Sequence, residues 1–329
     1  MKKGILKKVT IVSVLCVMAG QLLVGCGNAV QDTQTTEKTG NDQAYKIGVF
    51  QYTQHTALDA ANKGFEKALK DSGISYTIDQ QNASGDPSTT QTIAQKLVND
   101  NNDLIFAIAT PAAQAVAGLT KDIPIVLTAV TDPADAGLVA SNEVPGGNVT
   151  GTSDLNPVEK QIGLIKEMFP KAKKVGILYC SAEANSKLQV QLAKEVCEKD
   201  GLEPVEFTVS SSNEIQTVVE SMVGKVDVIY TPTDNVISNA MATVSMVATN
   251  NQLPIICGEE NQVTAGALAT YSVDYEKLGY KAGEMAVEIL KGEKKPADMP
   301  IGYLSDEECK FVINEETAKT FNIHTADFE

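Results

Sequence analysis

Tryptophan is absent from the 329 residues, aromatic side chains amount to 5%, and histidine occurs only twice. So little imidazole leaves little room for hydrolytic or metal chemistry. His324 lies in the C-terminal tail, so a Ser/His/Asp triad would have to use His55, and no G-x-S-x-G nucleophile elbow accompanies it. No G-x-x-x-x-G-K-[ST] phosphate loop is present, and no G-x-G-x-x-G follows a predicted strand. The cysteines show no C-x-x-C spacing, which argues against a zinc site. Cys180, Cys197 and Cys257 fall in predicted strands or helices and are expected to be free, packed thiols, although export would permit disulfides. Positive charge is scarce: 27 basic against 42 acidic residues give a formal charge of −15, and −19 once the four leader lysines are set aside. Such acidity repels phosphates, so nucleic acid is not an expected partner. Neither a catalytic residue nor a cofactor or metal is expected.

What is present begins with a leader. Lys2, Lys3, Lys7 and Lys8 precede an apolar run from Val9 to Gly20, then small residues, then Cys26. This is the order of a secretory signal, and the run is short for a membrane-spanning helix. From Gly27 to about Ala44 the chain is Asn-, Gln-, Asp- and Thr-rich with little to bury, so 27–44 is expected to be a flexible tether. The remaining chain is long enough for two lobes.

That body alternates short β-rich runs with helical spacing. Lys46–Phe50 reads as a strand, and Leu58–Ser72 as a helix stopped by Gly73. Ser75–Asp79 is a strand. Ser88–Asn99 is a helix after the Gly85-Asp86-Pro87 turn signal. Leu104–Ala109 is a strand, Pro111–Leu119 a helix, and Ile123–Leu127 another strand. Such alternation implies βαβ units around a buried parallel sheet.

The order then repeats. Lys174-Val175-Gly176-Ile177-Leu178 echoes Lys46-Ile47-Gly48-Val49-Phe50, Asp227–Tyr230 echoes Asp103–Phe106, and Leu253–Ile256 echoes Ile123–Val126, at offsets of 128, 124 and 130 residues. The doubling predicts an α/β protein of two similar doubly wound parallel-sheet lobes joined by a three-strand hinge. Asn148–Pro157 reads as the first crossing and Gly266–Val273 as the second. The tail from Ile301 reads as the third. The expected lobes are 45–152 plus 272–300, and 153–271 plus 301–329.

Ligands of open α/β sheets bind beyond the carboxyl ends of the strands. The polar residues there are Gln51, Tyr52 and His55 after the first strand; Thr110, Ala112 and Ala113 after the third; then Thr131 and Asp132; Ser153 and Asp154 at the first crossing; and Thr233, Asp234 and Asn235 in the second half. Thr110-Pro111-Ala112-Ala113 suits a helix start with Thr110 as its cap and N–H groups open to a carboxylate; taken alone, a plain capped helix with no ligand is the simpler reading. Asp132, Asp154 and Asp234 are candidate ammonium partners, Asp154 the strongest, while Asp234 also suits a helix cap. Tyr52, Tyr179 and Tyr230 fall at strand ends, where a flat ligand would stack, or where they simply pack. His55 either meets ligand or caps the next helix.

Several of these runs resemble bacterial ABC-transporter substrate-binding lipoproteins: Phe106–Gln114, Ile123–Val126 with Ala129–Pro133, Asn148–Gly151 with Ser153-Asp154, Asn185-Ser186, and Tyr230–Asn235. Leu23-Val24-Gly25-Cys26 likewise resembles a lipobox, which makes Cys26 the lipidated first mature residue. The resemblance implies a type I periplasmic-binding-protein-like fold and a monomeric, lipid-anchored, non-enzymatic receptor outside the cytoplasm. A permease and an ATPase would be its partners, and an aromatic amino acid is the first choice of ligand. Asn185 and Ser186 also fall in Ser181–Ser186, the polar run after the first strand of the second half, so both belong to the expected site. A sugar or nucleoside receptor, or one feeding a membrane signalling protein, shares the architecture.

Overall fold

The computed structural model describes residues 44–328. The expected leader, Cys26 and the tether up to residue 43 lie outside the described residues. Runs such as Ile47–Phe50 and Leu104–Ile108 are apolar without alternation, which suits strands covered on both faces, and each is fully buried. The first half winds as β1 (Tyr45–Gln51), α1 (Thr56–Ser72), β2 (Tyr76–Asn82), α2 (Pro87–Asn99), β3 (Leu104–Ile108), α3 (Thr110–Ala117), β4 (Ile125–Val130) and β5 (Val149–Ser153). Its five strands are parallel in the order β2-β1-β3-β4-β5.

The second half begins with α4 (Val158–Met168), β6 (Lys174–Cys180), α5 (Ala184–Lys199), β7 (Glu203–Val209), α6 (Ile215–Met222) and β8 (Val228–Thr231). It continues through α7 (Asn235–Asn239), α8 (Met241–Asn250), β9 (Ile255–Cys257), α9 (Glu260–Thr264) and β10 (Ala269–Ser272). Then come α10 (Tyr275–Leu290), β11 (Lys310–Ile313) and α11 (Glu315–Thr320). The sheet order β7-β6-β8-β9-β10 repeats that of the first half, with β11 added antiparallel at the edge of β10.

The repeat extends to single hydrogen bonds. Lys46 N–H donates to Asp103 Oδ2 at 2.7 Å, and Lys174 N–H donates to Asp227 Oδ2 at 2.9 Å. In both halves the aspartate before the third strand ties down the start of the first. Gly48 and Gly176 occupy matching positions, and a β-carbon at either would meet a core side chain at 2.9 or 2.5 Å.

The boundaries differ from the sequence reading in places. β4 starts and ends later than Ile123–Leu127, and β2 runs on to Asn82. Gly73 stops α1 as expected, at φ 69° with its N–H on Lys70 O. Thr110, however, is the first residue of α3 and not its cap. Ala109 holds that place at φ 80°, with no side-chain cap. The chain had turned one residue earlier than the Thr-Pro signal suggested.

Three segments cross between the sheets. The first follows β5 at Asp154–Pro157, and the second follows β10 at Val273–Asp274. The third begins beside the first sheet: Gly302 N–H donates to Gly151 O and Ser153 N–H to Gly302 O before the chain reaches β11. Between the last two, α10 returns to the first half and lies against α1. Glycines permit the approach. A β-carbon on Gly64 would sit 1.9 Å from Glu276 O, and one on Gly279 1.8 Å from Ala61 O.

Candidate functional site

The carboxyl ends of β1, β3 and β4 face those of β6 and β8, and the polar residues that follow each strand meet between the lobes. Two non-glycine residues with positive φ stand at these ends, Ala109 at 80° and Ala129 at 53°. Strained backbone of this kind persists where surrounding structure imposes it, and it clusters at functional sites.

A small inner chamber is lined by His55, Leu58, Ala129 and Thr131 from the first lobe, and by Asn185, Thr233, Asp234, Asn235 and Glu259 from the second. Asp154 and Tyr275, on the crossings, complete it. The chamber holds about 10 Å³, roughly the room one water-sized group needs. Outside it opens a cleft of about 860 Å³ with Tyr52, Thr53, Pro87 and Pro111 on one side, and Cys180, Glu183, Asn235 and Val236 on the other.

Hydrogen bonds join the lobes across the chamber. Gln189, fully buried on α5, donates to Thr131 Oγ1 at 3.2 Å and to Thr233 Oγ1. His55 Nε2 lies 3.5 Å from Asn235 Oδ1. Asn235 Nδ2 donates to Glu183 Oε2 at 2.7 Å, which turns its carbonyl oxygen toward the histidine. His55 therefore carries its proton on Nε2 and presents Nδ1 as an acceptor. Burial holds this imidazole down at about 4, against partial support from Asn235, Asp59 and Asp154, so it is neutral at physiological pH.

The chamber is acidic. Asp154 is buried, and Tyr275 OH donates to its Oδ2 at 2.8 Å. Burial pushes Asp154 up to about 6; Glu259 adds to the rise, while Tyr275 and Thr131 oppose it. Glu259 is raised to about 7, first by burial, against hydrogen bonds from Ser238, Tyr275 and Gln262. Glu183 is raised to about 8 by burial and by the nearby charge of Asp234. No lysine lines either cavity, and all 27 basic residues of the chain are lysines, so no arginine fork can clamp a carboxylate here.

The predicted residues divide accordingly. His55, Thr131, Asp154, Asn185, Thr233, Asp234 and Asn235 line the inner chamber, and Tyr52 lines the outer cleft. Asp234 is also the cap of α7: its Oδ1 accepts from Ile237 N–H, and its Oδ2 from Cys180 N–H and from Ser186 Oγ. Ser186 thus stands behind the chamber and holds Asp234. His55 occupies the cap position of α1, but its side chain caps nothing.

Asp132 is a turn former rather than an ammonium partner. Its Oδ1 accepts from Ala134 N–H, Asp135 N–H and Asn142 Nδ2. Ser153 Oγ donates to Thr131 O, and Gln51 Nε2 to Thr53 O and Asp59 Oδ1, all local supports. Thr110, Ala112 and Ala113 are buried in the first turns of α3 and line neither cavity, although Thr110 Oγ1 has no hydrogen-bond partner. Tyr179 and Tyr230 turn away from the cleft, toward Glu206 and Gln161.

Glu183 falls within the Ser181–Ser186 run read at the cleft, while Glu259 and Tyr275 were not singled out in the sequence. Glu259 follows β9, a strand end to which the same rule applies. Tyr275 opens α10, three residues beyond the end of β10.

Two lobes of one winding, polar rims turned to a shared cleft and three crossings define a periplasmic-binding-protein-like receptor. Residues 46–328 match the family model for ABC transporter substrate binding proteins, and the chain belongs to that family. Proteins of this family bind small molecules and work with ABC transporter components. A tyrosine-binding protein of Clostridioides difficile is 47% identical over 323 residues, covering 96% of this chain and 93% of the relative. A Streptococcus pneumoniae ABC domain in complex with L-Trp is 42% identical with a TM-score of 0.83, over 86% of this chain and 96% of that one. The ligand-free, open structure of a Clostridium difficile substrate binding protein with adhesive properties is 47% identical, yet its TM-score is 0.66, over 85% and 96%. Of these two structures, the less identical superposes better. In the present arrangement hydrogen bonds join the two lobes across the chamber.

Proposed function

We propose that this chain is the lipid-anchored, extracytoplasmic receptor of an ABC importer and captures an aromatic amino acid by closing its lobes. It does no chemistry on the ligand. Lobes of 45–152 plus 272–300 and 153–271 plus 301–329 move as units about the crossings, and Cys26 carries the anchor at the end of a tether. The receptor acts as a monomer. The observation that supports this reading is a cleft lined by both lobes, whose hydrogen bonds across the inner chamber make this a closed arrangement, in a chain that superposes with a TM-score of 0.83 on a relative in complex with L-Trp.

Capture follows from differential affinity. A ligand that touches both rims favours the closed state only by as much as it binds that state better. The inner chamber takes one small polar group of the ligand, and the outer cleft, with Tyr52, Pro87 and Pro111, takes the ring. No helix among the described residues is long and apolar enough to cross a membrane, so contact with the permease is made by docking.

The test is a thermal-shift panel of tyrosine, tryptophan, phenylalanine, aliphatic amino acids, sugars and nucleosides. At about 100 times Kd a ligand adds about 2.7 kcal/mol, so an aromatic amino acid should raise Tm by about 5–10 °C. A shift only with sugars or nucleosides would overturn the assignment.

A further inference from the structure

Three atoms lining the inner chamber are acceptors that the protein leaves without donors: Asp154 Oδ1, Asn185 Oδ1 and His55 Nδ1. They come from a crossing, the second lobe and the first lobe. Each orientation is set by a bond on its other side. Asp154 Oδ2 is held by Tyr275 OH. Asn185 Nδ2 donates to Glu183 Oε2 at 3.1 Å and Thr233 O at 3.0 Å, which leaves its carbonyl oxygen toward the chamber. The His55 proton sits on Nε2, facing Asn235 Oδ1. Buried polar atoms are rarely left unpaired, and three unpaired acceptors around one space point to a group that has donors only.

We propose that the inner chamber is a socket for the ligand's primary ammonium group, which gives one N–H to each of Asp154 Oδ1, Asn185 Oδ1 and His55 Nδ1. The inference rests on the amino-acid reading only for the choice of probes. Number, charge and size agree. An ammonium group has three donors and no acceptor. The chamber is walled by Asp154, Asp234 and Glu259 with no cationic side chain among its lining residues. Its volume of about 10 Å³ suits one heavy atom and excludes a carboxylate or an N-acyl group. The ligand class is therefore that of unsubstituted primary amines, and its carboxylate, where there is one, lies outside the chamber. A methyl group on the nitrogen removes a donor and adds a heavy atom that the chamber does not hold.

The experiment is calorimetric titration of the folded chain with an aromatic amino acid that binds it, then with that compound's desamino, N-acetyl and N-methyl analogues. The desamino and N-acetyl compounds should lose at least about 100-fold in affinity, and the N-methyl compound about tenfold. A desamino or N-acetyl analogue binding within about threefold of its parent overturns the socket. If no aromatic amino acid binds, the functional reading fails by itself. The socket is then judged on the small molecule released from purified protein and identified by mass spectrometry: a primary amine supports it, and a ligand without one overturns it.

Discussion

Asp154→Asn separates ligand recognition from folding at a single side chain. In this arrangement the carboxylate is buried with no cation beside it, and its rise from 3.8 to about 6 amounts to about 3 kcal/mol of penalty on the charged form. Asparagine has nearly the same shape and carries no such penalty. Its carbonyl oxygen can accept from Tyr275 OH in place of Oδ2, which puts an NH₂ group where Oδ1 faced the chamber. The ligand ammonium then meets a donor instead of a charged acceptor. Loss of one partner of a buried, hydrogen-bonded charge pair costs about 2–5 kcal/mol, or roughly 30- to several thousand-fold in Kd. The variant should therefore bind far more weakly while its ligand-free Tm stays level or rises. Calorimetry and differential scanning calorimetry on the same preparation measure both. Unchanged affinity removes Asp154 from the site, and a Tm lowered in parallel with affinity makes it a structural residue.

Further outcomes follow from the same geometry. Gly279→Ala places a β-carbon 1.8 Å from Ala61 O, so α10 must move off α1, and denaturant unfolding should show a loss of about 3 kcal/mol or more; an unchanged midpoint would refute the close packing. The carboxyl groups of Glu183, Glu259 and Asp154 titrate above their ordinary values in the fold, at about 8, 7 and 6. The stability tied to them is present at acid pH and lost as pH rises, so the ligand-free Tm should fall between about pH 5 and pH 8, and Glu183→Gln should flatten the upper part. His55 is depressed from 6.5 to about 4 in the closed form, so closure favours the neutral ring. Ligand affinity should be full above about pH 6.5 and weaken as pH falls toward 4, read by titration calorimetry, and His55→Gln should lessen the decline.

The doubling was legible because it is written in strand-start residues with one allowed role. Lys46 with Asp103 and Lys174 with Asp227 recur in sequence and make the same bond in the fold. The strand-end rule likewise found most of the chamber, since parallel βαβ units put those residues on one rim. It did not distinguish residues facing the chamber from those facing away. Asp132 and Asp154 look alike in a string of letters, yet one folds back on its own turn and the other points into the chamber. Which way a loop side chain turns depends on contacts from distant segments, as with Tyr275, 121 residues from Asp154 in sequence. Thr110 shows a second limit. The Thr-Pro signal places a helix start to within a residue, and Ala109 took the cap because β3 ends in a positive-φ turn.

The most direct measurement is a crystal structure of the chain with a bound aromatic amino acid. The account predicts closed lobes, with the amino nitrogen about 3 Å from Asp154 Oδ1, Asn185 Oδ1 and His55 Nδ1 and the ring in the outer cleft. A ligand held by one lobe alone, or lying wholly in the outer cleft with those three acceptors unengaged, would contradict it.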